Sequence, residues 1–148
     1  MLDDLDIQIL KKLQLNGRTK RNELAEQVGL SIPSISERLK KLEDNKIIEG
    51  YCAKVSRQAF GLDILAFILV IMDSSKHYKD LIKHVEKNLS ILECHSVLGE
   101  GSHLLKVAVK NTGSLEKLLS EIQTWTGVTG TKTTYVLSTL KETLAINI

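Results

Sequence analysis

The residues of this chain best suited to contact another molecule lie in one short stretch, "GLSIPSISERLKKLE", residues 29 to 43. Its apolar side chains recur at about 100° per residue and share one helix face, formed by Ile32, Ile35, Leu39 and Leu42. The remaining positions carry hydroxyl and basic groups, which can pair with phosphates or hydrogen-bond to base edges of duplex DNA. The pattern therefore predicts either a helix that enters a DNA groove or a helical hairpin with an ordinary solvated face.

This stretch is preceded by signals for two further helices. Leucine and isoleucine recur at helical spacing from Leu2 to Leu13, and the segment "KRNELAEQV" can form a short second helix. The predicted helix ends are Asn16–Gly17 after the first helix, Thr19 before the second, Gly29 after it, and Ser31 with Pro33 at the start of the third. A short helix, a turn containing glycine and another helix with a basic outer face predict a helix-turn-helix.

The candidate DNA-contacting residues lie on and just before these last two helices. Lysine and arginine can pair with phosphates, while serine and arginine can reach base edges in the major groove. The set comprises Arg18, Lys20, Ser31, Ser34, Ser36, Glu37, Arg38, Lys40 and Lys41. The charge distribution permits double-stranded DNA as a partner without requiring it, because residues 1–60 carry 11 Lys and Arg against 9 Asp and Glu, whereas the remainder carries 9 of each.

The second half of the chain follows a different pattern, which begins after Gly61. Strands and helices are predicted in the order βαββαβ over roughly residues 62–140. This order consists of two βαβ units in tandem. With right-handed crossovers they form a ferredoxin-like sandwich, in which both helices lie on one face of an antiparallel sheet. The predicted fold class is therefore α+β, with a winged-type helix-turn-helix domain at 1–49, an extended linker at 50–61 and a ferredoxin-like domain at 62–148.

One face of the predicted sheet has no helix to cover it, although its strands are rich in leucine, isoleucine and valine. The residues expected on that face are those of 64–72 together with Val107 and Val109. An uncovered apolar sheet face favours self-association, so we expect a homodimer.

Several other classes of protein are disfavoured by the composition. The longest apolar run, from Ile64 to Met72, is too short to span a bilayer, and the acidic start "MLDDLDIQ" is unlike a secretion signal. Cys52 and Cys94 form no CxxC pair, and the 4 histidines lack the spacing of metal ligands. We therefore expect a cytoplasmic protein with reduced thiols, no metal site, no cofactor, no catalytic residues and no membrane partner.

The order of these motifs resembles the Lrp/AsnC family of transcription regulators, also called feast/famine regulatory proteins. The resemblance is carried by "LDDLDIQIL", "ELAEQVGLSIPSISERLKKLEDNKIIEGYCAKV", "FGLDI", "GEGSHLLKV" and "GVTGTKTTYVLSTLKE". Membership implies a sequence-specific DNA-binding regulator whose second domain, termed RAM, binds a small effector, usually an amino acid. It also implies that RAM sheets pair into dimers, which commonly assemble to octamers.

The resemblance places the effector between subunits, near the loop that joins the second and third RAM strands. The matching positions are Gly99, Glu100, Gly101, Ser102, His103, Lys132 and Thr133. Glycines in that loop allow backbone N–H groups to approach a ligand. Relatives often have an aspartate at the position of Ser102, which would suit an ammonium group. With a hydroxyl there and Lys132 as a cation, we expect a site that favours carboxylates and holds neutral amino acids weakly, or else a packing loop without a ligand.

Another departure from the family pattern lies just before the linker, where this chain has Lys46 and relatives often have glycine. We expect a minor change of turn there.

Two other functions are compatible with this outline. Some proteins with the same two domains resemble regulators but are decarboxylases of a siroheme-type tetrapyrrole, and use histidines in the RAM region. The basic face of Arg38, Lys40 and Lys41 favours DNA binding over that activity. The third possibility is an adaptor that docks another protein on the helix-turn-helix, and a gel shift with genomic fragments separates it from a regulator.

Overall fold

The computed structural model describes residues 2–148, which divide into two compact units. One unit contains the chain up to Lys54 together with Lys141–Ile148, and the other contains Val55–Leu140. Residues 141–148 therefore belong with the helix-turn-helix, whereas the sequence-based division groups them with the second domain.

The first unit is built on three helices, α1 (Asp4–Leu15), α2 (Arg21–Val28) and α3 (Ile32–Asp44). Their apolar faces meet in one core, which contains Ile9, Leu10, Leu24, Ala25, Ile35, Leu39 and Leu42. The predicted helix-turn-helix is confirmed as α2, a turn and α3. Ile32, on the same predicted apolar face of α3, is not part of this core, because it lies in the first turn of the helix with 49% of its surface exposed.

The turn between α2 and α3 has the predicted capping residues. Gly29 ends α2 with a left-handed φ of 72°. Ser31 caps α3, since its hydroxyl accepts from the backbone N–H of Ser34 at 3.3 Å, and Pro33 lies in the first turn.

The start of α2 differs from the prediction. Thr19 does not cap this helix, because its hydroxyl donates to the Asn16 carbonyl at 2.7 Å. Lys20 occupies the N-cap position instead, and its backbone N–H donates to the Glu23 carboxylate at 3.3 Å. A backbone donor and a carboxylate in the first turn thus replace the hydroxyl cap that the sequence suggested.

The end of α3 forms a Schellman-type turn. The N–H of Ile47 donates to the Leu42 carbonyl at 2.9 Å, and the N–H of Lys46 donates to the Glu43 carbonyl at 3.0 Å. Lys46 has a φ of 57° and is the one non-glycine residue with positive φ in the range 2–148. The turn therefore requires a left-handed residue at the position where relatives often have glycine. No strand forms over residues 45–57, which include most of the predicted linker.

The second unit has the predicted order, with β1 (Ile64–Met72), α4 (Tyr78–Lys87), β2 (Ile91–Ser96), β3 (His103–Val109), α5 (Thr112–Gln123) and β4 (Val128–Tyr135). The strands form one antiparallel 4-stranded sheet in the order β2-β3-β1-β4. This is the predicted ferredoxin-like arrangement. Trp125 follows α5 and is buried in the core.

The alternation of side chains along β1 separates the two faces of this sheet. Ile64, Ala66, Ile68 and Val70 belong to the core with the helices, so the residues between them point to the helix-free face. The placement of Val107 and Val109 on the helix-free face is wrong. They pair with Ala66 and Ile64 in the register and lie in the same core, because directly paired residues share a face.

We expect Lys46→Gly to stabilise the first unit by about 0.5–1 kcal/mol. A left-handed residue with a Cβ costs about 1–2 kcal/mol, and the entropy that glycine gains in the unfolded chain offsets part of the relief. Denaturant unfolding measures the change. Lys46→Ala is the matched control, since it removes the charge but keeps the Cβ; a gain as large in this variant would contradict the explanation.

Candidate functional site

The outer face of α3 carries most of the predicted DNA-contacting residues. Lys40, Lys41, Glu37 and Ser31 are exposed, and Ser34 and Ser36 are half-buried on its flanks. The apolar positions of the same helix lie in the core of the first unit, which orients this polar face outward.

Arg18 and Lys20 lie in the segment between α1 and α2 and are both exposed. The side chain of Asn16 orders this segment, since its oxygen accepts from the backbone N–H of Arg18 at 3.0 Å. The basic ends of both side chains therefore add to the charge near the helix-turn-helix.

Arg38 differs from the other predicted residues because it is held within the protein. Its Nη1 donates to both carboxylate oxygens of Asp3, at 2.9 and 2.8 Å, and to Oδ1 of Asp6 at 2.7 Å. Asp6 is 4% exposed, so the guanidinium supplies a charged partner to a buried carboxylate. Arg38 therefore links α3 to the start of α1, a structural role that was not predicted for it.

The same cluster forms the N-terminal cap of α1. The backbone N–H of Asp6 donates to Asp3 Oδ1 at 2.8 Å, and the backbone N–H of Asp3 donates to Asp6 Oδ2 at 3.2 Å. The Asp6 N–H, and then the Arg38 guanidinium, lower the pKa of the Asp3 carboxyl below its usual 3.8. No role was predicted for either aspartate from the sequence. Their spacing is that of a capping box and could have indicated one, whereas their contact with Arg38 of α3 could not be predicted from the sequence.

The predicted effector loop connects β2 to β3 and folds back on β1. The N–H of Ser102 donates to the Val70 carbonyl at 2.9 Å, and the N–H of Val97 donates to the Ser102 carbonyl at 3.0 Å. A Cβ at Gly101 would lie 2.6 Å from Leu69 Cγ and 2.9 Å from the Val70 oxygen. Gly101 is thus needed for close packing on β1, a role in addition to the access for a ligand that was predicted for it.

Gly99 has a φ of 147°, a conformation that favours glycine, and the space beside its Cα is open. Of the two loop glycines, Gly99 is the one whose surroundings leave room for a ligand.

Lys132 forms an ion pair with Glu100 of the loop. Both side chains are exposed, and the pairing lowers the pKa of the Glu100 carboxyl. The cation that Lys132 was predicted to add to the site is therefore paired with a carboxylate of the same loop. It pairs in the register with Leu69, whereas Thr133 pairs with Ile68 of the core, so these two neighbours on β4 belong to opposite faces of the sheet.

His103 lies on the core side at the start of β3 and is 3% exposed. Ser102 Oγ donates to the Val70 carbonyl at 3.3 Å, which leaves the hydroxyl to accept from Nδ1–H of His103 at 2.9 Å. The ring packs edge-on against Tyr78, with centroids 4.6 Å apart. Burial lowers the pKa of His103, and the contacts with Ser102 and Tyr78 let the ring anchor the loop.

Within residues 2–148, no cluster of three or more His, Cys, Asp or Glu side chains could hold a metal ion. Cys52 is exposed and Cys94 half-buried, and both are free thiols. None of the helices in this part of the chain has the length and apolarity needed to cross a membrane.

Comparison with protein families matches both units. A family described as the Lrp/AsnC ligand binding domain matches residues 65–146, and a winged helix-turn-helix DNA-binding family matches residues 2–49. The HTH-type transcriptional regulator FL11 of Pyrococcus abyssi is 35% identical over 147 residues, which cover 99% of this chain and 97% of that protein. The leucine-responsive regulatory protein of Klebsiella pneumoniae is 33% identical over 144 residues, covering 95% and 88%.

Solved structures agree with these matches. A transcriptional regulator of Neisseria meningitidis in complex with L-Met has a TM-score of 0.94 and 32% identity, covering 99% of this chain and 97% of that one. AsnC of E. coli has a TM-score of 0.89 and 32% identity, covering 96% of each chain. The two units and these matches define a DNA-binding transcriptional regulator with a ligand-binding domain. The chain belongs to the Lrp/AsnC family.

We expect Arg38→Met to destabilise the first unit by about 1–3 kcal/mol, because the buried Asp6 carboxylate loses its charged partner. The pairing of Asp3 stabilises the fold above pH 3.8 and is lost as pH falls through its lowered folded pKa. That acid dependence should shrink in the variant but persist in part, since the Asp6 N–H still binds Asp3. Denaturant unfolding between pH 2 and 6 checks both points.

The control for this variant is Arg18→Met, which removes an exposed arginine of the same unit. Its stability should stay within about 0.5 kcal/mol of the parent chain. Equal losses in the two variants would show that Arg38 has no special structural role.

Proposed function

We propose that α3 is the recognition helix and that its exposed face contacts duplex DNA. In this proposal Lys40 and Lys41 contact DNA phosphates, and Ser34 and Ser36 lie close to base edges. The proposed contact set is completed by Arg18, Lys20, Ser31 and Glu37. The observation that carries this proposal is the exposed basic face of a helix whose other face is packed in a helix-turn-helix core.

We expect Lys41→Ala to weaken binding to all duplexes alike. Each lost phosphate contact should reduce the log–log salt slope by about 0.9, because fewer counterions are released. Ser34→Ala should instead change the preference among sequences. Fluorescence titration of labelled duplexes at several salt concentrations measures both effects. Lys79→Ala on α4 is the control, and an unchanged salt slope in Lys41→Ala would remove the lysine from the interface.

We propose that the second unit binds an amino acid near the loop of residues 97–102. The Glu100–Lys132 pair supports this ligand class, since a carboxylate and an ammonium side by side complement the two charges of a zwitterion. The structurally similar regulator of Neisseria meningitidis was solved in complex with L-Met, which is consistent with an amino acid as the ligand. The proposal replaces the expectation of an acidic or non-amine ligand, which was based on the Ser102 hydroxyl and on Lys132 as a cation without the carboxylate of Glu100 beside it. Gly99, Gly101, Ser102, His103 and Thr133 are proposed to shape the site.

We expect Glu100→Gln to weaken the binding of L-methionine and L-leucine by about tenfold or more, because a charge-assisted contact to the ammonium group is lost. The 2-oxo acid that corresponds to leucine lacks that group and should be affected less. Calorimetric titration of the full chain compares the ligands. Glu93→Gln, which removes the exposed carboxylate beside Lys106, is the control; equal effects on amino and oxo acids would contradict the assigned role.

We propose that the protein works as a homodimer that assembles further, to an octamer, in the cytoplasm. The helix-free sheet face carries Phe67, Leu69, Ile71 and Leu104, which are half-buried in the single chain and form an apolar surface for a second copy. A dimer would present two recognition helices to successive major-groove turns. Sedimentation at micromolar concentration tests this, and a monomer of 16.5 kDa would contradict it.

We also propose that the protein is not an enzyme. Its relatives above are named transcriptional regulators, and His103, the one buried histidine of the RAM unit within residues 2–148, is engaged with Ser102 and Tyr78. Incubation with a siroheme-type tetrapyrrole tests the alternative, because decarboxylation would change the mass of the pigment by the loss of carbon dioxide.

A further inference from the structure

The C-terminal segment of residues 141–148 is held against α1 by a side-chain amide. Nε2 of Gln14 donates to the Ile146 carbonyl at 3.1 Å, and the N–H of Ile146 donates to Gln14 Oε1 at 2.6 Å. An amide side chain offers the same donor and acceptor as a peptide group. The pair therefore imitates one rung of an antiparallel ladder and recognises the backbone of the segment.

Two further contacts fasten the same segment. Ile148 packs against the apolar core of α1, α2 and α3, and Glu142 forms an ion pair with Lys54 at 2.9 Å. The side chain of Ile146 itself is 70% exposed and that of Leu144 is 84% exposed. The attachment thus depends on the Ile146 backbone and on Ile148, and the surface ion pair adds little.

The contact between Gln14 and Ile146 is connected through α1 to the proposed recognition helix, α3. Gln14 lies in the last turn of α1, and Asp3 and Asp6 at the other end of α1 bind Arg38 of α3. The helix is therefore held at one end by the C-terminal segment and at the other by the DNA-facing helix. The segment follows β4 in the chain, so it is a covalent continuation of the ligand-binding unit.

We propose that residues 141–148 form a strap that docks on the C-terminal end of α1 in the same chain and holds the DNA-binding unit in its binding-competent form. The docking site is the Gln14 amide with the core surface beneath Ile148. Release of the strap loosens α1 and, through the Arg38 cluster, the orientation of α3. The second of these effects rests on the proposed DNA contact, whereas the first can be measured without DNA.

The test uses hydrogen exchange of the full chain in paired variants. Gln14→Ala and Ile146→Pro each break the amide pair, the latter by removing the N–H donor. Exchange in residues 12–16 should become about fivefold to thirtyfold faster, as expected for the loss of one or two hydrogen bonds. Gln8→Ala, on the exposed part of α1, and Ile146→Ala, which keeps the N–H, are the matched controls and should leave the rate unchanged.

A chain that carries both Gln14→Ala and Ile146→Pro tests whether Gln14 acts by binding the strap or only by a local effect on α1. If Gln14 acts through Ile146, the effect of the double variant is smaller than the sum of the two single effects, and both single variants weaken DNA binding. Additive effects on exchange would overturn the proposal, as would fast exchange of Ile146 in the parent protein. Loss of protection without loss of DNA affinity would overturn the functional role of the strap and leave the DNA contact of α3 intact.

A complementation experiment decides which chain supplies the strap. A chain ending at Thr143 lacks the docking residues of the strap, Ile146 and Ile148, but keeps Gln14, and the Gln14→Ala chain has the reverse defect. Refolding the two together should restore no protection if each strap docks on its own α1. Restored protection in the mixture would show that the segment crosses to a second copy and would overturn the assignment to the same chain.

Discussion

The interaction on which the DNA-binding unit most depends is the pairing of Arg38 with Asp3 and Asp6. A buried carboxylate such as that of Asp6 is costly unless a charged group compensates it, and the guanidinium does so from the helix that faces DNA. The same aspartates cap α1, so the start of one helix and the orientation of another depend on one cluster. Arg38, predicted from the sequence to contact DNA, thus also links α3 to the start of α1.

Local order was largely predictable from the sequence, and long-range pairing was not. Ser31, Pro33 and Gly29 act within a few residues of their own positions, so their types announce the turn between α2 and α3. The pairs Arg38–Asp6 and Lys132–Glu100 join residues 32 apart, and no periodicity reports them. Each pair changed the chemistry expected of a site residue.

The error about Val107 and Val109 has a similar origin. Composition shows that a strand is apolar, but the face a side chain takes depends on the register with its neighbour. β3 is apolar at nearly every position, and only its pairing with β1 shows which residues enter the core. The same alternation separates Lys132 from Thr133, so consecutive positions that match a family motif need not line one surface.

The contact between Gln14 and Ile146 joins residues separated by 132 positions. Closing so long a loop is entropically costly, and contacts between residues far apart in sequence slow folding. At a synthesis rate of about 5–20 residues per second, Ile146 is synthesised roughly 7–26 s after Gln14 of α1. The DNA-binding unit lies first in the chain, yet it is completed only after the ligand-binding unit has been synthesised.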